Sequence, residues 1–398
     1  MIRLGVIGVG ARITSVIYTT MRSLDPEVHV TAFVDPDEKN ARSRLAEDDR
    51  HTAVRYETLS EMVCKEQLDG LAVGTRCHLH APYAIQAAQY DLPLFLEKPV
   101  AISMEQAIAL EEAFTDSRCP VVVSFPLRVA PLCVLTREYI ANGAVGTPEH
   151  ILAVNYVPYG TTYFEHVGYR NYTITQGLFL QKATHDFDYM CYLMDSPITR
   201  IAAMASFGHV FGGDKPAGLT CAQCDDARSC KESPQNRRFN CSGGSLNEQH
   251  LCLFGKDCGS PEDGMNEDHS SALVTFANGA QGVYTQVFYT RRDAARRGAT
   301  ISGYHGTLDF DWYTNTMRYV RHHRPFSDTV QAGAGQAHFG GDQMLAANFL
   351  DVVNGLDKSK TPIETGLQSV YTCLAAKESV ASGSFVDVRQ VGQVTNKA

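Results

Sequence analysis

The stretch Leu94-Phe95-Leu96-Glu97-Lys98-Pro99 constrains the fold of this chain more than any other. A continuous apolar run this short, closed by a charged pair and a proline, reads as a central strand of a parallel sheet covered on both faces. Open α/β sheets bind their ligands beyond the carboxyl ends of the strands, which is where Glu97 and Lys98 fall. Pro99 disfavours the helical region for Lys98, so the ammonium stays at the strand end, and a cis Lys98–Pro99 bond is open. In isolation a Glu-Lys-Pro is more often an exposed ion pair in a loop. The surrounding chain decides between the two.

A length of 398 residues exceeds one ordinary core, so two domains are expected. Apolar content of 44% with 20% charged residues is that of a soluble globular protein. The net charge of −9 argues against nucleic acid as a partner, because phosphate binding needs a concentrated basic surface. No apolar stretch approaches the roughly 20 residues of a membrane span, so no membrane is expected either. The first strand begins at Ile2, leaving no room for a signal peptide, and a cytoplasmic protein is expected.

From the N-terminus, Ile2 to Ile7 reads as a strand running into Gly8-Val9-Gly10-Ala11-Arg12-Ile13, after which Ile13, Val16, Ile17 and Leu24 recur at helical spacing. Gly8 permits a tight turn, Gly10 lets backbone approach a pyrophosphate, and the helix start supplies amide donors. Ile13 stands where a third glycine is expected, so helix and strand should pack less closely there. The second strand pattern, Val28 to Val34, ends in Asp35, placed to accept hydrogen bonds from the adenosine ribose. With Asp37 nearby and no arginine immediately following, a 2′-phosphate is repelled and NAD is expected over NADP. Further strand patterns at Ala53 to Tyr56, Leu71 to Gly74, Leu94 to Leu96 and Val121 to Val123 alternate with helical segments. The strand at Leu71 ends in Thr75-Arg76-Cys77-His78-Leu79-His80, rich in donors; for the two histidines, helix capping is the alternative to contact with a nicotinamide ribose. Ser103 and Gln106 have capping-box spacing.

Gly8-x-Gly10, Asp35, Thr75 to His80 and Glu97-Lys98-Pro99, in that order, resemble the Gfo/Idh/MocA family of NAD(P)-dependent sugar oxidoreductases. The resemblance extends to the turn Ala141–Gly146 and the helix start Gly340-Gly341-Asp342. It implies an N-terminal Rossmann domain, residues 1–125, with Gly8, Gly10, Arg12, Ile13, Asp35, Thr75, His80, Glu97 and Lys98 at the cofactor. Residues 126–398 would form an α+β domain whose large, mainly antiparallel open sheet makes a homodimer or homotetramer. Its last helices would pack back on the first domain.

The rhythm of the second half agrees, with long strand patterns at 149–157, 200–208, 271–277, 281–289, 299–309 and 314–321, and a hairpin signal at Asn278-Gly279. One helix interrupts them, Leu178 to Met194. Leu180, Ala183, Phe187, Met190, Cys191 and Met194 share one face, and Gln181, Lys182, His185, Asp188 and Tyr189 the other. Such polar faces ordinarily meet water, but this one resembles the family's active-site helix, with His185 matching its histidine. Gln181 stands where the family often has an aspartate, and Lys182 matches a lysine found in a subgroup. His185 is then the expected proton acceptor, with Lys182 and Lys98 as catalytic partners that stabilise a developing alkoxide. Tyr159, Arg170, Gln181 and Asp188 are the expected substrate contacts, with Tyr156 and Tyr163 as further ring-stacking candidates; packing is the alternative for each tyrosine. Arg296-Arg297 is structural or else meets an anionic substituent.

Six of the 12 cysteines crowd into a glycine- and aspartate-rich insertion at about 211–265: Cys221, Cys224, Cys230, Cys241, Cys252 and Cys258. Cys-x-x-Cys with further cysteines suggests a structural zinc, with free thiols or a disulfide as alternatives. The family resemblance implies Cys221, Cys224, Cys230 and Cys252 as the ligands.

The function expected is NAD-dependent hydride transfer between a sugar, polyol or sugar-derivative hydroxyl carbon and nicotinamide. The alternative is glycoside cleavage by transient oxidation, elimination and re-reduction with no net redox change.

Overall fold

A computed structural model describes residues 1–240, 246–258, 265–333 and 337–393, so Cys241 lies outside the described residues. The chain forms two compact units: Met1–Cys133, Ala334–Tyr371 and Gln390–Ala398 in the first, Val134–Gly333 and Thr372–Arg389 in the second.

Unit 1 contains six parallel strands, β1 (Ile2–Ile7), β2 (Val28–Val34), β3 (Val54–Tyr56), β4 (Gly70–Val73), β5 (Leu94–Leu96) and β6 (Val121–Val123), in the order β3-β2-β1-β4-β5-β6. Every residue of β4, β5 and β6 is buried, which explains why these strands read as unbroken apolar runs. Strand order reverses between β1 and β4, where such sheets open a crevice for ligands. The register pairs Ile7 with Val73, Val73 with Leu96 and Leu96 with Val123, so Gly8, Gly74, Glu97 and Ser124 follow one another along a single edge. The helix Gly341–Val353 completes the core, with Phe349 packed edge-on against Phe95 at 5.5 Å and Leu345 and Ala346 among Val16, Ile17 and Met21.

The looser packing expected at Ile13 does not occur. A side chain on Gly74, just past β4, would bring its Cβ within 2.4 Å of the Ile13 Cβ. The close approach that a glycine usually permits from the helix is permitted here from the strand. Gly8 adopts φ +76°, and a Cβ there would meet the Thr75 backbone at 2.7 Å, so this turn also requires glycine. The helix after the loop is not uniform: Ala11–Ser15 is α-helical and Val16–Met21 is a π segment.

Unit 2 contains β7 (Pro148–Tyr156), β8 (Ile198–Ser206), β9 (His269–Phe276), β10 (Gln281–Val287), β11 (Arg296–Gly303), β12 (Gly306–Asp311), β13 (Thr316–Arg321), β14 (Phe326–Gln331) and β15 (Val386–Asp387). They form one sheet in the order β14-β13-β12-β11-β7-β10-β9-β8-β15, antiparallel except for β7 beside β10. The pattern expected as one strand over 299–309 is two, β11 and β12, reversed at Tyr304-His305. β14 was not expected because its residues, Phe326-Ser327-Asp328-Thr329-Val330-Gln331, are nearly all exposed and show no apolar alternation. Asn278-Gly279 does turn β9 into β10, with Gly279 at φ +89°.

The helix expected over Leu178 to Met194 begins as a π segment, Phe179–Ala183, and continues as an α-helix, Thr184–Met194. Its polar residues do not meet water: Gln181, Lys182, His185 and Asp188 are all buried. Glu267 accepts hydrogen bonds from the Leu178 and Phe179 amides at 2.5 and 3.4 Å, closing the start of the helix from a distant part of the chain.

The packing at Ile13 predicts that Gly74→Ala destabilises unit 1 by about 1–3 kcal/mol through overpacking. Ile13→Gly in the same chain should recover part of that loss, returning the glycine to the helix. Denaturant midpoints of the two single variants and the double variant measure the coupling, and strictly additive losses would remove the contact as the cause.

Candidate functional site

In unit 1 the site is assembled around the glycine loop. The Asp35 carboxylate, at the end of β2, accepts from the Val9 amide at 2.8 Å and from the Asp37 amide at 2.9 Å, so it shapes the loop it was expected to serve. Arg55 donates to the Asp35 carbonyl at 3.3 Å and is also paired with Glu57, a cation near Asp35 that no local motif announces. Glu97 is buried, accepts from Ser124 Oγ at 3.2 Å and lies 3.3 Å from Arg12 Nε. Arg12 makes a two-pronged pair with Asp342, both contacts at 2.7 Å, so its guanidinium joins the glycine loop to β5 and to the helix Gly341–Val353. Burial would raise the Asp342 carboxyl, but hydrogen bonds from Arg12 and His338 outweigh it and hold the group below the usual carboxylate range.

The two histidines after β4 separate in role. His80 is buried, with Nδ1 2.8 Å from the Pro99 carbonyl and Nε2 3.1 Å from the Thr75 carbonyl, which leaves neither ring nitrogen for a ligand. Burial pushes its pKa down, against the raising effect of the two carbonyls, and the ring lies between the chain after β4 and the chain after β5. Lys98 is half-buried just past the end of β5, is joined to Pro99 by a cis bond, and its charge acts on both Cys77 and His80. Thr75 is at the mouth of the same edge, with its hydroxyl 3.3 Å from the Arg76 carbonyl. These residues fit a nicotinamide dinucleotide by one structural test: a Cβ on Gly8 would strike the Thr75 backbone at 2.7 Å and one on Gly10 would crowd the Gly74 carbonyl at 3.2 Å, so the turn before the helix at Ala11 requires bare main chain, as a pyrophosphate cradle does.

In unit 2 the site is the buried polar side of the helix Thr184–Met194 and the π segment before it. Lys182 Nζ donates to the Tyr159 hydroxyl at 2.7 Å and lies over the rings of Tyr159 and Tyr163. Burial, together with the charge of Arg297, lowers its pKa, against an opposing pull from Tyr159. His185 is buried one turn further along, and Asp188 is buried on the same helix. Gln181 donates to the Tyr169 carbonyl at 3.3 Å. Arg170, expected at the substrate, instead points into the Cys-rich insertion, where it meets the Cys252 carbonyl at 3.4 Å and Asp257 at 3.3 Å.

Asp186 was missed by the sequence reading. Fully buried, it accepts from Asn155 at 2.9 Å, from the Tyr284 hydroxyl at 2.9 Å and from Arg297 at 3.0 and 2.8 Å. The signal that could have found it is a single acid among the helix's apolar residues together with a twin arginine before a strand. Arg297 is thereby structural, while Arg296 is partly exposed beside Asp309.

The insertion is closed at its base by Asp268, which accepts from the amides of His209, Val210 and Phe211 at 2.7, 2.9 and 3.2 Å. Inside it, Arg237 is buried and pairs with Glu165 at 2.5 Å and Glu232 at 3.2 Å. Burial pushes the Cys221 thiol up to about 11, with Cys252, Cys230 and Cys224 adding to the shift, so the four expected ligands do gather. They do not gather closely enough for zinc. Among the described residues, the one group of three or more potential ligand atoms within 4.8 Å of one another is His29, Asp48 and Asp49. Zinc–sulfur bonds of about 2.3 Å need sulfurs closer than that. The His29 group is itself occupied by Arg22, 2.6 Å from Asp49 and 3.0 Å from Asp48. Among the described residues no helix is long and apolar enough to cross a membrane.

Comparison with known proteins agrees with this architecture. Residues 2–125 match a family model described as an oxidoreductase family with an NAD-binding Rossmann fold, and residues 134–309 match the GFO/IDH/MocA C-terminal domain. The chain is 21% identical to YteT of Bacillus subtilis, described as an oxidoreductase, over 93% of this chain and 95% of that one. It is 22% identical to a myo-inositol 2-dehydrogenase of Thermotoga maritima over 51% of this chain and 58% of that one. A levoglucosan dehydrogenase solved with NADH and levoglucosan superposes with a TM-score of 0.72 at 18% identity, covering 98% of this chain and 100% of the other, which shows a common fold.

With Arg237 and Glu165 paired inside the insertion, Arg237→Ala should expose it to limited proteolysis, and chelation should leave its resistance unchanged. Loss of protection on chelation alone would reinstate zinc as the organising element.

Proposed function

The chain belongs to the Gfo/Idh/MocA family of oxidoreductases, and from that premise we propose that it transfers a hydride between a hydroxyl-bearing carbon of a sugar, polyol or sugar derivative and NAD. The observation that carries the reading is the buried Lys182, lowered in pKa and held on the Tyr159 hydroxyl, one turn from His185. A buried amine held on a phenol hydroxyl suits a site where an alkoxide develops. Similarity to a myo-inositol 2-dehydrogenase supports the substrate class.

The nicotinamide supplies the hydride acceptor. The chain's residues have the remaining work. His185 takes the hydroxyl proton as the carbon is oxidised; Lys182 stabilises the oxygen as negative charge grows on it; Tyr159, Gln181 and Asp188 orient the polyol; Lys98 serves the nicotinamide end of the dinucleotide in unit 1. Gly8, Gly10, Arg12, Ile13, Asp35, Thr75 and Glu97 hold the dinucleotide or shape its cradle. We further propose a cytoplasmic homodimer or homotetramer formed through the outer face of the unit 2 sheet. Leu273 pairs across the strands with Ala202 and Val283, and Val283 with Leu152. With Met204 also exposed, this is an apolar row without cover in a single chain.

Asp35 favours NAD, since a 2′-phosphate would face its carboxylate, and Arg55 is engaged by Glu57. Fluorescence titration should find NAD at least tenfold tighter than NADP; equal affinities would refute the role given to Asp35.

The activity itself is tested with a panel of polyols, free sugars and aryl glycosides, following nicotinamide absorbance and aglycone release together. Net reduced cofactor is expected, and His185→Ala should lower turnover about 10²- to 10⁴-fold with NAD affinity preserved. Aglycone release without net reduction would instead assign redox-cycling glycoside cleavage, and near-normal turnover in the variant would move the base to a lysine.

A further inference from the structure

Away from the residues assigned above, unit 2 contains a cavity of about 560 Å³ lined by Tyr139, Asn142, Gly143, Ala144, His305, Tyr319, Arg321, His323 and Arg324. That volume is in the range of small-molecule pockets. Its walls come from the end of the helix Pro131–Ala141, the β11–β12 turn, the end of β13 and the turn into β14. No aspartate or glutamate is among them, in a protein whose net charge is −9. Asp328, cross-strand from Tyr319, is the nearest acid by register and forms no ion pair with either arginine.

Among the described residues, the two guanidinium groups are therefore uncompensated. Arg321 is stacked on Tyr319 and Phe326, its carbon 5.8 and 5.0 Å from the ring centres, which fixes its plane without neutralising it. The carboxyl end of the helix Pro131–Ala141 offers about half a negative charge, too little to balance two fixed cations. The other polar groups are already ordered. Tyr319 donates its hydroxyl to the Ala144 carbonyl at 2.9 Å, and His323 Nε2 lies 3.0 Å from the Tyr304 carbonyl. Tyr139 and Tyr319 meet edge to face at 5.8 Å and wall one side. Both arginines are exposed, so a small anion reaches them with little desolvation, and the stacked Arg321 needs little further ordering.

We propose that this cavity binds a small phosphate-bearing anion, a phosphate monoester or a diphosphate, with Arg321 and Arg324 as its principal contacts. Guanidinium forks match phosphate oxygens two at a time, which an imidazole or an ammonium does not. The cavity size and the overall negative charge favour a small molecule over a polyanionic chain.

The test uses the full chain saturated with NAD, so that the glycine loop of unit 1 is not available to the probes. Inorganic pyrophosphate and glucose 6-phosphate are titrated calorimetrically at low ionic strength, where open charged sites are least screened. The expected result is saturable binding of at least one probe, weakened tenfold or more by Arg321→Ala and by Arg324→Ala. Arg318→Ala, a neighbour on the opposite face of β13, should leave it unchanged. Thermal unfolding of each variant identifies any that fail to fold; for those, Arg321→Gln and Arg324→Gln replace them. Absence of saturable binding overturns the proposal, as does a double variant Arg321→Gln/Arg324→Gln that binds like the parent chain.

Discussion

The buried carboxylate of Asp186 organises unit 2. Removing an ion from water costs several kcal/mol even after relaxation, and the cost is offset only where its lone pairs are satisfied. Asp186 is satisfied four times over by donors from three adjacent strands: Arg297 on β11, Asn155 on β7 and Tyr284 on β10. One side chain on the helix is thereby fixed to the centre of the sheet. Its neighbours on that helix, Lys182 and His185, inherit a position set by core packing. Arg297 also acts at a distance, since its charge helps lower the pKa of Lys182. Structural support and electrostatic tuning come from the same pair.

Unit 1 uses an arginine in the corresponding way. Arg12, at the start of the helix after the glycine loop, reaches Glu97 at the end of β5 and Asp342 at the start of the last core helix. His80 ties the two neighbouring strand ends through their carbonyls. Polar residues that a motif assigns to a ligand are here largely engaged with one another, and that engagement is what makes the loop geometry rigid. Such preorganisation lowers the ordering cost of binding a dinucleotide.

The Cys-rich insertion is tied down by polar contacts that its composition does not announce. Its ends are fastened by three amides on Asp268, and its interior by the Arg237–Glu165 pair. The thiols cluster, but charge pairing and backbone hydrogen bonds supply the order.

The strands and glycine turns of unit 1 were legible in the sequence because a parallel sheet buries both faces, and runs such as Leu94-Phe95-Leu96 cannot be stable elsewhere. Val-Val-Val at 121–123 and the Glu-Lys-Pro ending were legible for the same reason. The helix carrying His185 was legible from its period. What the sequence could not decide was every feature depending on a partner far along the chain. Gly74 replaces the missing glycine at position 13 because two elements 61 residues apart in sequence approach within contact. The helix is buried because partners distant in sequence satisfy it: Glu267 takes its first amides, and Arg297 and Tyr284 take the Asp186 carboxylate. β14 escaped notice because an edge strand exposed on both faces leaves no alternation to read. Local periodicity records which surface is removed from water. Only the tertiary structure determines which groups meet once it is removed.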